Sequence, residues 1–365
     1  MSEHIWNVAV TAGSTSNNWY LADKDCLNVT RFLTAPKFRG FTKQDLFIKN
    51  FIKKAWGQDI AALSNMAEAI ANIALSNPVS RDSLVPLLDE IVQRAMHKSV
   101  SPYRGPLENT KNLGHYGYYL EHLNIILGHY QLAADKKYIE LGTKISQHLL
   151  EQSLAQENYH ARLLPHVRMR WSADQAAIIY SLWLYDQANQ TNLSQQISAP
   201  WLGYMHENQR DSATGLFVTE VMGAKNYSRQ PRGCSSAYMI YYMSFFAPDV
   251  AEEQWALFKR HMKKDLLTAS AFREYLKDFK AGWTPDSGPI LAGMGVAASG
   301  LSLKTAAAMK DEDTYRRLLR LVKPVTATCR LVSKLPVLGV AGALGSDLLS
   351  SSIRLAAASK FRNNI

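Results

Sequence analysis

Apolar residues along this chain recur with the period of a helix far more than with the alternation of a strand. Between Asp59 and Ser76, Ile60, Leu63, Ala67, Ile70 and Ala74 fall on one face, which predicts an amphipathic helix. Ser83 to His97 repeats the pattern, with Pro86 expected in its first turn, where a missing N–H is tolerated. Leu113–Ala134, Lys137–Gln152, Ala173–Ala188 and Ala251–Lys264 read as further helices. Strand-like alternation is scarce. Its best case is Leu216–Tyr227, after the turn Asp211-Ser-Ala-Thr-Gly215, and it predicts one short hairpin.

One junction recurs. A long helix ends, a short polar turn follows, and a second helix starts on an aromatic or leucine anchor. The copies are Tyr130–Tyr138 around Asp135, Leu184–Leu193 around Thr191, and Ala306–Tyr315 around Asp311. The first two lie roughly 55 residues apart, one helical hairpin plus its connections. A fixed period of helical hairpins is the mark of repeat or toroidal all-α architectures. The expected fold is therefore all-α, a toroid of helical hairpins with one short β-hairpin insertion; an irregular bundle is the plain alternative. Residues 1–40 read as an N-terminal extension and residues 41–365 as a single toroid domain. No glycine-rich phosphate loop is visible, so a nucleotide fold is not expected.

Near the far end, Leu335–Ile353 is apolar and rich in small residues, flanked by Lys334 and Arg354. Its length approaches that of a membrane span. Asp347, Ser350–Ser352, Pro336 and three glycines interrupt it, so a buried loop and a final helix fit better. Peripheral membrane contact through this basic end (Arg354, Lys360, Arg362) stays open. The first residues, Met-Ser-Glu-His-Ile-Trp, hold neither a basic nor an apolar leader region, and a cytoplasmic protein is expected.

Composition narrows little. Of 365 residues, 47% are hydrophobic and 20% charged, a globular balance that excludes collagen-like and low-complexity chains. Lys and Arg number 41 against 31 Asp and Glu, a net charge of +10. The basic residues are scattered, with no run interleaved with aromatics, so no nucleic-acid partner is expected. Cys26, Cys234 and Cys329 are too few and too separated for a disulfide framework.

Four segments carry candidate chemistry. The first is Gly114–His129, in which His115, His122 and His129 stand seven apart and so share a helix stripe with Tyr118 and Tyr119. Residues seven apart lie about 10.5 Å apart along a helix, too far to share a zinc ion with bonds of about 2 Å. A metal site is not expected. The face suits either the wet aromatic wall of a pocket or satisfied core histidines. The second is Arg168–Gln175. Ser172 reads as an N-cap and Asp174 as a first-turn acid, either complementing the helix dipole or acting at the mouth of an inner helix. Trp171 beside it would dry the site and raise the carboxyl towards general-acid work. The third is Gln230–Tyr238, where Arg232 and Gly233 precede a helix and Cys234 reads as a low-pKa thiol or a bystander. The fourth pairs Phe272-Arg-Glu-Tyr275 with Trp283-Thr-Pro-Asp-Ser-Gly-Pro289, offering Glu274 and Asp286 as loop carboxylates.

In this order, these segments resemble the linalool dehydratase/isomerase-like superfamily of bacterial proteins. The matching stretches are Gly114-His-Tyr-Gly117 with His122-Leu-Asn124, Trp171-Ser-Ala-Asp-Gln175, Pro231-Arg-Gly233, and Phe272-Arg-Glu-Tyr275 with Asp286-Ser-Gly-Pro289. The resemblance covers roughly residues 100–350. It implies an (α/α)6 barrel and cofactor-free acid–base chemistry on a terpene alcohol in an apolar cavity, with His122 at the position of the family's histidine. The family's cysteine pair has no counterpart between Leu164 and Asp174, and Asp174 stands where the second cysteine is expected.

The leading expectation is thus a cofactor-independent lyase or isomerase acting on a small, partly apolar alcohol or terpenoid. Asp174 would be the general acid and His122 the base or its partner, with Glu274 and Asp286 in reserve. His115, Tyr118, Tyr119, Trp171, Arg232, Cys234 and Tyr275 would bind substrate. Two alternatives stand beside it. One is a carbohydrate-active epimerase, lyase or glycosidase, with arginines holding an acidic sugar and aromatics stacking on rings. The other is a non-enzymatic binding or interaction protein. A homo-oligomer is compatible with all three.

Overall fold

Helices in this chain start where a backbone break meets an apolar stripe. The computed structural model describes residues 23–35, 57–222, 226–227, 230–277, 279, 284, 287–288, 290–321 and 347–360. Their Cα atoms pack as two compact units. Unit 1 takes in Met1–Asn112, His122–Lys144 and Gly345–Ile365; unit 2 takes in Leu113–Glu121 and Ile145–Leu344.

In unit 1, α1 (Asp23–Leu33), α2 (Gln58–Ser76), α3 (Pro78–Met96) and α12 (Asp347–Lys360) pack together. Helix α12 lies against both α2 and α1. Small residues permit this: Ala62, Ala67, Ala69, Ala71, Ala356, Ala357 and Ala358 are all buried. Polar groups fix the register. Arg354 grips Asp25 with two bonds of 2.6 and 2.9 Å, Asn72 donates to Ser359 at 2.9 Å, and Lys360 meets Glu68 at 3.0 Å. Helix α3 starts well before the expected Ser83. Pro78 supplies a preset first position, and the Asn77 side chain accepts the Val79 N–H at 3.2 Å. Pro86 therefore lies inside the helix, not in its first turn, and denies the Asp82 carbonyl its usual donor.

Helices α4 (Gly117–Ala133) and α5 (Ile139–Leu154) follow in the chain. Unit 2 then runs through α6 (Ser172–Asn189), α7 (Leu193–Asn208), α8 (Gly233–Phe246), α9 (Pro248–Met262), α10 (Val296–Ala308) and α11 (312–321). These alternate in character. Every residue from Gln175 to Leu182 of α6 is buried, and so is nearly all of α8 from Gly233 to Met243. A helix buried all round sits inside others. By contrast, α9 buries only Ala251, Gln254, Trp255, Phe258 and Met262, the stripe of an outer helix. Helix α8 packs against α6, α9 and α10.

The recurrent turn has a physical role. Asp135 accepts the Lys137 N–H at 2.8 Å, Asp186 those of Leu193 and Ser194 at 2.8 Å each, and Asp311 that of Thr314 at 3.1 Å. In each copy an aspartate takes orphan donors of the chain beyond the turn, Asp135 and Asp311 from the turn itself and Asp186 from the last turn of α6.

Strands are few and short. The expected hairpin exists as β2 (Glu220–Met222) and β3 (Asn226–Tyr227), but β1 (Met169–Trp171) adds a third antiparallel strand, pairing Trp171 with Glu220. Two further pairs, β4 (Lys263–Leu266) with β5 (Ala269–Phe272) and β6 (Ile290–Leu291) with β7 (Met294–Gly295), exceed the single hairpin expected. No described helix is long and apolar enough to cross a membrane.

Candidate active site

Helices α4, α6 and α8 each carry candidate groups in or near their first turns in unit 2. Helix α6 begins directly after β1. Ser172 is not its N-cap: Trp171 takes that position, and the Ser172 hydroxyl turns instead to His160 Nε2 at 3.1 Å and the Val218 carbonyl at 3.4 Å. Asp174 then falls in the first turn and stays partly exposed. Its neighbour is Glu121 of α4, fully buried, whose carboxyl is near enough for the Asp174 charge to act on it. Burial, then the Asp174 charge and the bond to it, hold the Glu121 carboxyl well above the usual carboxylate range. Both effects favour the protonated form of Glu121.

Tyrosines stand on two of the same helices. Tyr118 comes from α4 and Tyr238 from α8. Burial, then its neighbours Tyr242, Glu121, Tyr118 and Asp174, push the Tyr238 phenol well above its ordinary range, so it stays a neutral donor. Tyr242, one turn further along α8, donates to the Tyr238 oxygen at 3.0 Å. Lys304 of α10 lies 4.1 Å from the Tyr241 ring centre and 5.7 Å from that of Tyr242.

A second cluster sits at the start of α8. The Gly233 N–H donates to the Glu274 carbonyl at 2.8 Å. A Cβ at this position would lie 2.0 Å from the Arg273 carbonyl oxygen, so only glycine lets the helix start against that segment. Glu274 has no exposed surface. Its carboxylate accepts the Cys234 N–H at 3.2 Å, the Cys234 thiol at 3.0 Å and the Arg232 guanidinium at 3.3 Å. Arg232 also meets Glu220 at 3.1 Å and Thr284 at 2.7 Å, with the Tyr275 ring 6.0 Å away. Cys234 is here an S–H donor to a carboxylate, not a thiolate awaiting a substrate. Cys234, Tyr238 and Tyr242 are spaced by four, so they line one face of α8 and join the two clusters.

The expected site residues are thus placed unevenly. Asp174 and Tyr118 lie at the carboxyl pair, and Arg232, Cys234, Glu274 and Tyr275 share the second cluster. Trp171 is half-buried at the end of β1. His115 precedes α4 and binds Gln152 at 3.0 Å, so the histidine stripe does not begin within the helix. His122 belongs to unit 1 and is fully buried, with Nδ1 2.8 Å from the Ser64 hydroxyl. Ser64 gives its own proton to the Ala61 carbonyl, so Nδ1 is the donor. Tyr119 is buried. Asp286 lies outside the described residues. Glu121, Tyr238, Tyr242 and Lys304 were missed. The signal for Glu121 was present in its place between Leu120 and His122, an acid within an otherwise apolar helical run. Among the described residues no group of three His, Cys, Asp or Glu is placed to hold a metal.

No family model matches this chain, and no curated protein does. Solved structures do. A family 76 α-mannanase from Bacteroides thetaiotaomicron aligns over 98% of both chains at 12% identity, with a TM-score of 0.55. A family 76 mannosidase from the same species aligns over 84% of this chain and 88% of its own, at 12% identity and 0.54. An α-1,6-mannanase from Salegentibacter, an inactive variant with two consecutive aspartates replaced and α-1,6-mannotetrose bound, aligns over 99% of both chains at 10% identity and 0.54. The fold of this chain is the all-α (α/α)6 toroid of these hydrolases.

The comparisons correct the sequence reading in three respects. The resemblance to linalool dehydratase/isomerase-like proteins gives way to the glycoside hydrolase neighbours, and with it the lyase or isomerase assignment. The small terpenoid partner falls with it, since a solved neighbour holds an oligosaccharide. Peripheral membrane contact through the C-terminal end loses its basis: Arg354 and Lys360 are engaged by Asp25 and Glu68, while Arg362 and most of Leu335–Ile353 lie outside the described residues.

Proposed function

We propose that this protein is a carbohydrate-active enzyme of the glycosidase type, acting on a neutral oligosaccharide at the Asp174–Glu121 pair. One observation carries the reading: two neighbouring carboxyls, one buried and biased towards its protonated form, near the helix N-termini of a toroid whose solved neighbours are glycoside hydrolases. Hydrolysis needs one proton given to the leaving-group oxygen and one taken from the attacking water. Asp174, the partly exposed member, touches the substrate. Glu121, buried behind it and biased towards its protonated form, supplies the proton for the leaving-group oxygen, and Asp174 takes one from the attacking water. Tyr118 and Tyr238 offer ring faces and hydroxyls to a sugar. Arg232 is already matched by Glu274 and Glu220, which argues for a neutral sugar over an acidic one.

The site departs from the neighbour's in one respect. The inactive mannanase lost two consecutive aspartates, whereas this sequence contains no Asp-Asp pair and brings its two carboxyls from different helices. The test is release of shorter sugars from α-1,6-mannotetraose and a panel of other α-linked mannose oligosaccharides. Wild type is expected to cleave at least one. Asp174→Asn and Glu121→Gln are expected to lose on the order of a hundredfold or more, the usual worth of a general acid–base group. Full activity in Asp174→Asn would overturn the assignment.

A further inference from the structure

A cavity of about 460 Å³ opens in unit 2 and shares no lining residue with either cluster described above. One wall is the loop after α5, with Glu157 and Tyr159. The other is α7, with Pro200, Gly203, Tyr204, Glu207 and Asn208, the three- and four-residue spacing of one helix face. The volume falls in the range of about 300–1,000 Å³ that holds a small organic ligand. Its lining residues break local rules without a packing reason. Pro200 sits inside α7 and cannot donate to the helix ladder. Gly203 is a poor helix former, and a Cβ there would meet nothing within 4 Å, so no neighbour demands the small residue. Glu207 stands in the last turn, where the helix dipole disfavours negative charge. Across the cavity, Tyr159 holds φ at 56°, the left-handed region that bulky residues avoid. Four such choices on one concave surface mark a place shaped for binding at a cost to folding.

The walls are held in place. Arg170 bonds Gln156 at 2.7 Å and Asn158 at 3.0 Å, the residues on either side of Glu157, and the Tyr159 N–H donates to the Gln156 carbonyl at 3.0 Å. The Tyr204 ring packs edge-on against His160, with ring centres 5.9 Å apart. The polar lining is rich in acceptors. It offers the carboxyl oxygens of Glu157 and Glu207, and the side-chain oxygen of Asn208, whose amide nitrogen already donates to the Tyr204 carbonyl at 3.2 Å. A fitting ligand brings several donors and a flat face to lie on tyrosine rings. Adjacent sugar hydroxyls supply the first, two of them reaching the two oxygens of one carboxyl group, and the C–H face of the ring supplies the second. A small cation fits less well, because the Arg170 guanidinium is already held by the residues flanking Glu157 and the cavity is far larger than an ammonium group. We propose that this cavity is a second, non-catalytic binding site that takes a neutral sugar unit of a glycan between the Tyr159 loop and the Gly203 face of α7. The choice of a glycan as the carrier rests on the glycosidase reading; the binding chemistry does not.

The experiment is fluorine NMR of the full chain labelled with 3-fluorotyrosine. The Tyr159 signal is the one, of 17 tyrosines, that is lost in Tyr159→Phe. The probes are α-1,6-mannotetraose, maltotetraose and cellotetraose, with spermidine as the organic cation. At least one neutral sugar is expected to shift the Tyr159 signal saturably. Gly203→Leu fills the cavity; it should melt no lower than wild type and weaken that binding by about tenfold or more. Glu157→Ala/Glu207→Ala should weaken it by about tenfold as well, the combined worth of two hydrogen bonds. A Tyr159 signal that no neutral sugar moves overturns the inference, and so does one that only spermidine moves. Should Gly203→Leu fail to fold, the double alanine variant decides, and unchanged binding there overturns the site. Sugar release from the same solutions separates the two claims. Cleavage with an unmoved Tyr159 signal keeps the glycosidase reading and removes the second site. A moved signal that Gly203→Leu abolishes, with no cleavage, does the reverse.

Discussion

Acid should destabilise this protein through one histidine. His160 is fully buried in unit 2, with Nδ1 2.5 Å from the Asn158 carbonyl. Its Nε2 faces the Ser172 hydroxyl at 3.1 Å and accepts the Trp201 indole N–H at 3.3 Å. An indole N–H can only donate, so Nε2 must be the unprotonated nitrogen and the ring neutral. Burial above all, with Arg170 adding repulsion against the help of the Asn158 carbonyl, pushes its pKa from 6.5 down to about 3. The sign follows from linkage. Between 6.5 and 3 the unfolded chain binds a proton that the folded chain refuses, so stability is full above 6.5 and lost as pH falls. At about 1.4 kcal/mol for each tenfold change in proton affinity, the full loss approaches roughly 5 kcal/mol, comparable to the whole stability of a modest domain. The assay is the urea midpoint of wild type and His160→Gln at pH 7, 5.5 and 4.5. At pH 7 the variant should be weaker by about 1–3 kcal/mol, since an amide only partly replaces the ring. That gap should close by about 1.4 kcal/mol for each pH unit below 6.5. A gap that stays constant down to pH 4.5 would refute the buried neutral imidazole.

Three further outcomes test other joints of the structure. Gly233→Ala places a Cβ 2.0 Å from the Arg273 carbonyl and 2.9 Å from the Ala298 methyl; thermal melting should show a loss of about 3 kcal/mol or more, or no folded protein. Arg232→Met strands the buried Glu274 carboxylate and should cost about 3–5 kcal/mol in denaturant unfolding, with Arg232→Met/Glu274→Gln recovering a large part. Glu121→Gln removes a carboxyl that must ionise on unfolding at neutral pH but stays protonated when folded. The folded pKa is raised, so the wild-type contribution is present below the unfolded value near 4.5 and lost as pH rises. The variant should gain on wild type by up to about 1.4 kcal/mol per pH unit above 4.5; a gap independent of pH would show that Glu121 ionises freely in the fold.

The helical framework was legible because its signal is local. The apolar stripe of α2, the polar turns at Asp135, Asp186 and Asp311, and the acid in the first turn of α6 need no distant partner to be recognised. The carboxyl pair was not legible for the opposite reason. Glu121 and Asp174 are far apart in sequence and come near only in the folded chain, while the histidines spaced by seven form a stripe that lacks His115, which precedes α4. Ser172 misled as an N-cap because its hydroxyl has a better partner in His160, twelve residues back and reached only in the folded state.

The overturned family resemblance has a physical explanation in the same residues. Gly117 and Gly233, both inside matching segments, stand where helices α4 and α8 begin against a neighbouring backbone: a Cβ at Gly117 would lie 2.6 Å from the Arg162 carbonyl oxygen, and one at Gly233 would meet that of Arg273. Both N–H groups donate across the same junctions, to Arg162 and Glu274. A toroid must start its inner helices against the loops of adjacent hairpins, and glycine followed by small or aromatic residues meets that demand whatever reaction the cavity hosts. Such segments report architecture. Glu121 and Tyr238, one turn further in, stand outside that demand: the first falls between two matching stretches and the second follows the end of one. In this fold, a resemblance carried by helix starts therefore reports the toroid and leaves the reaction to be read from other side chains.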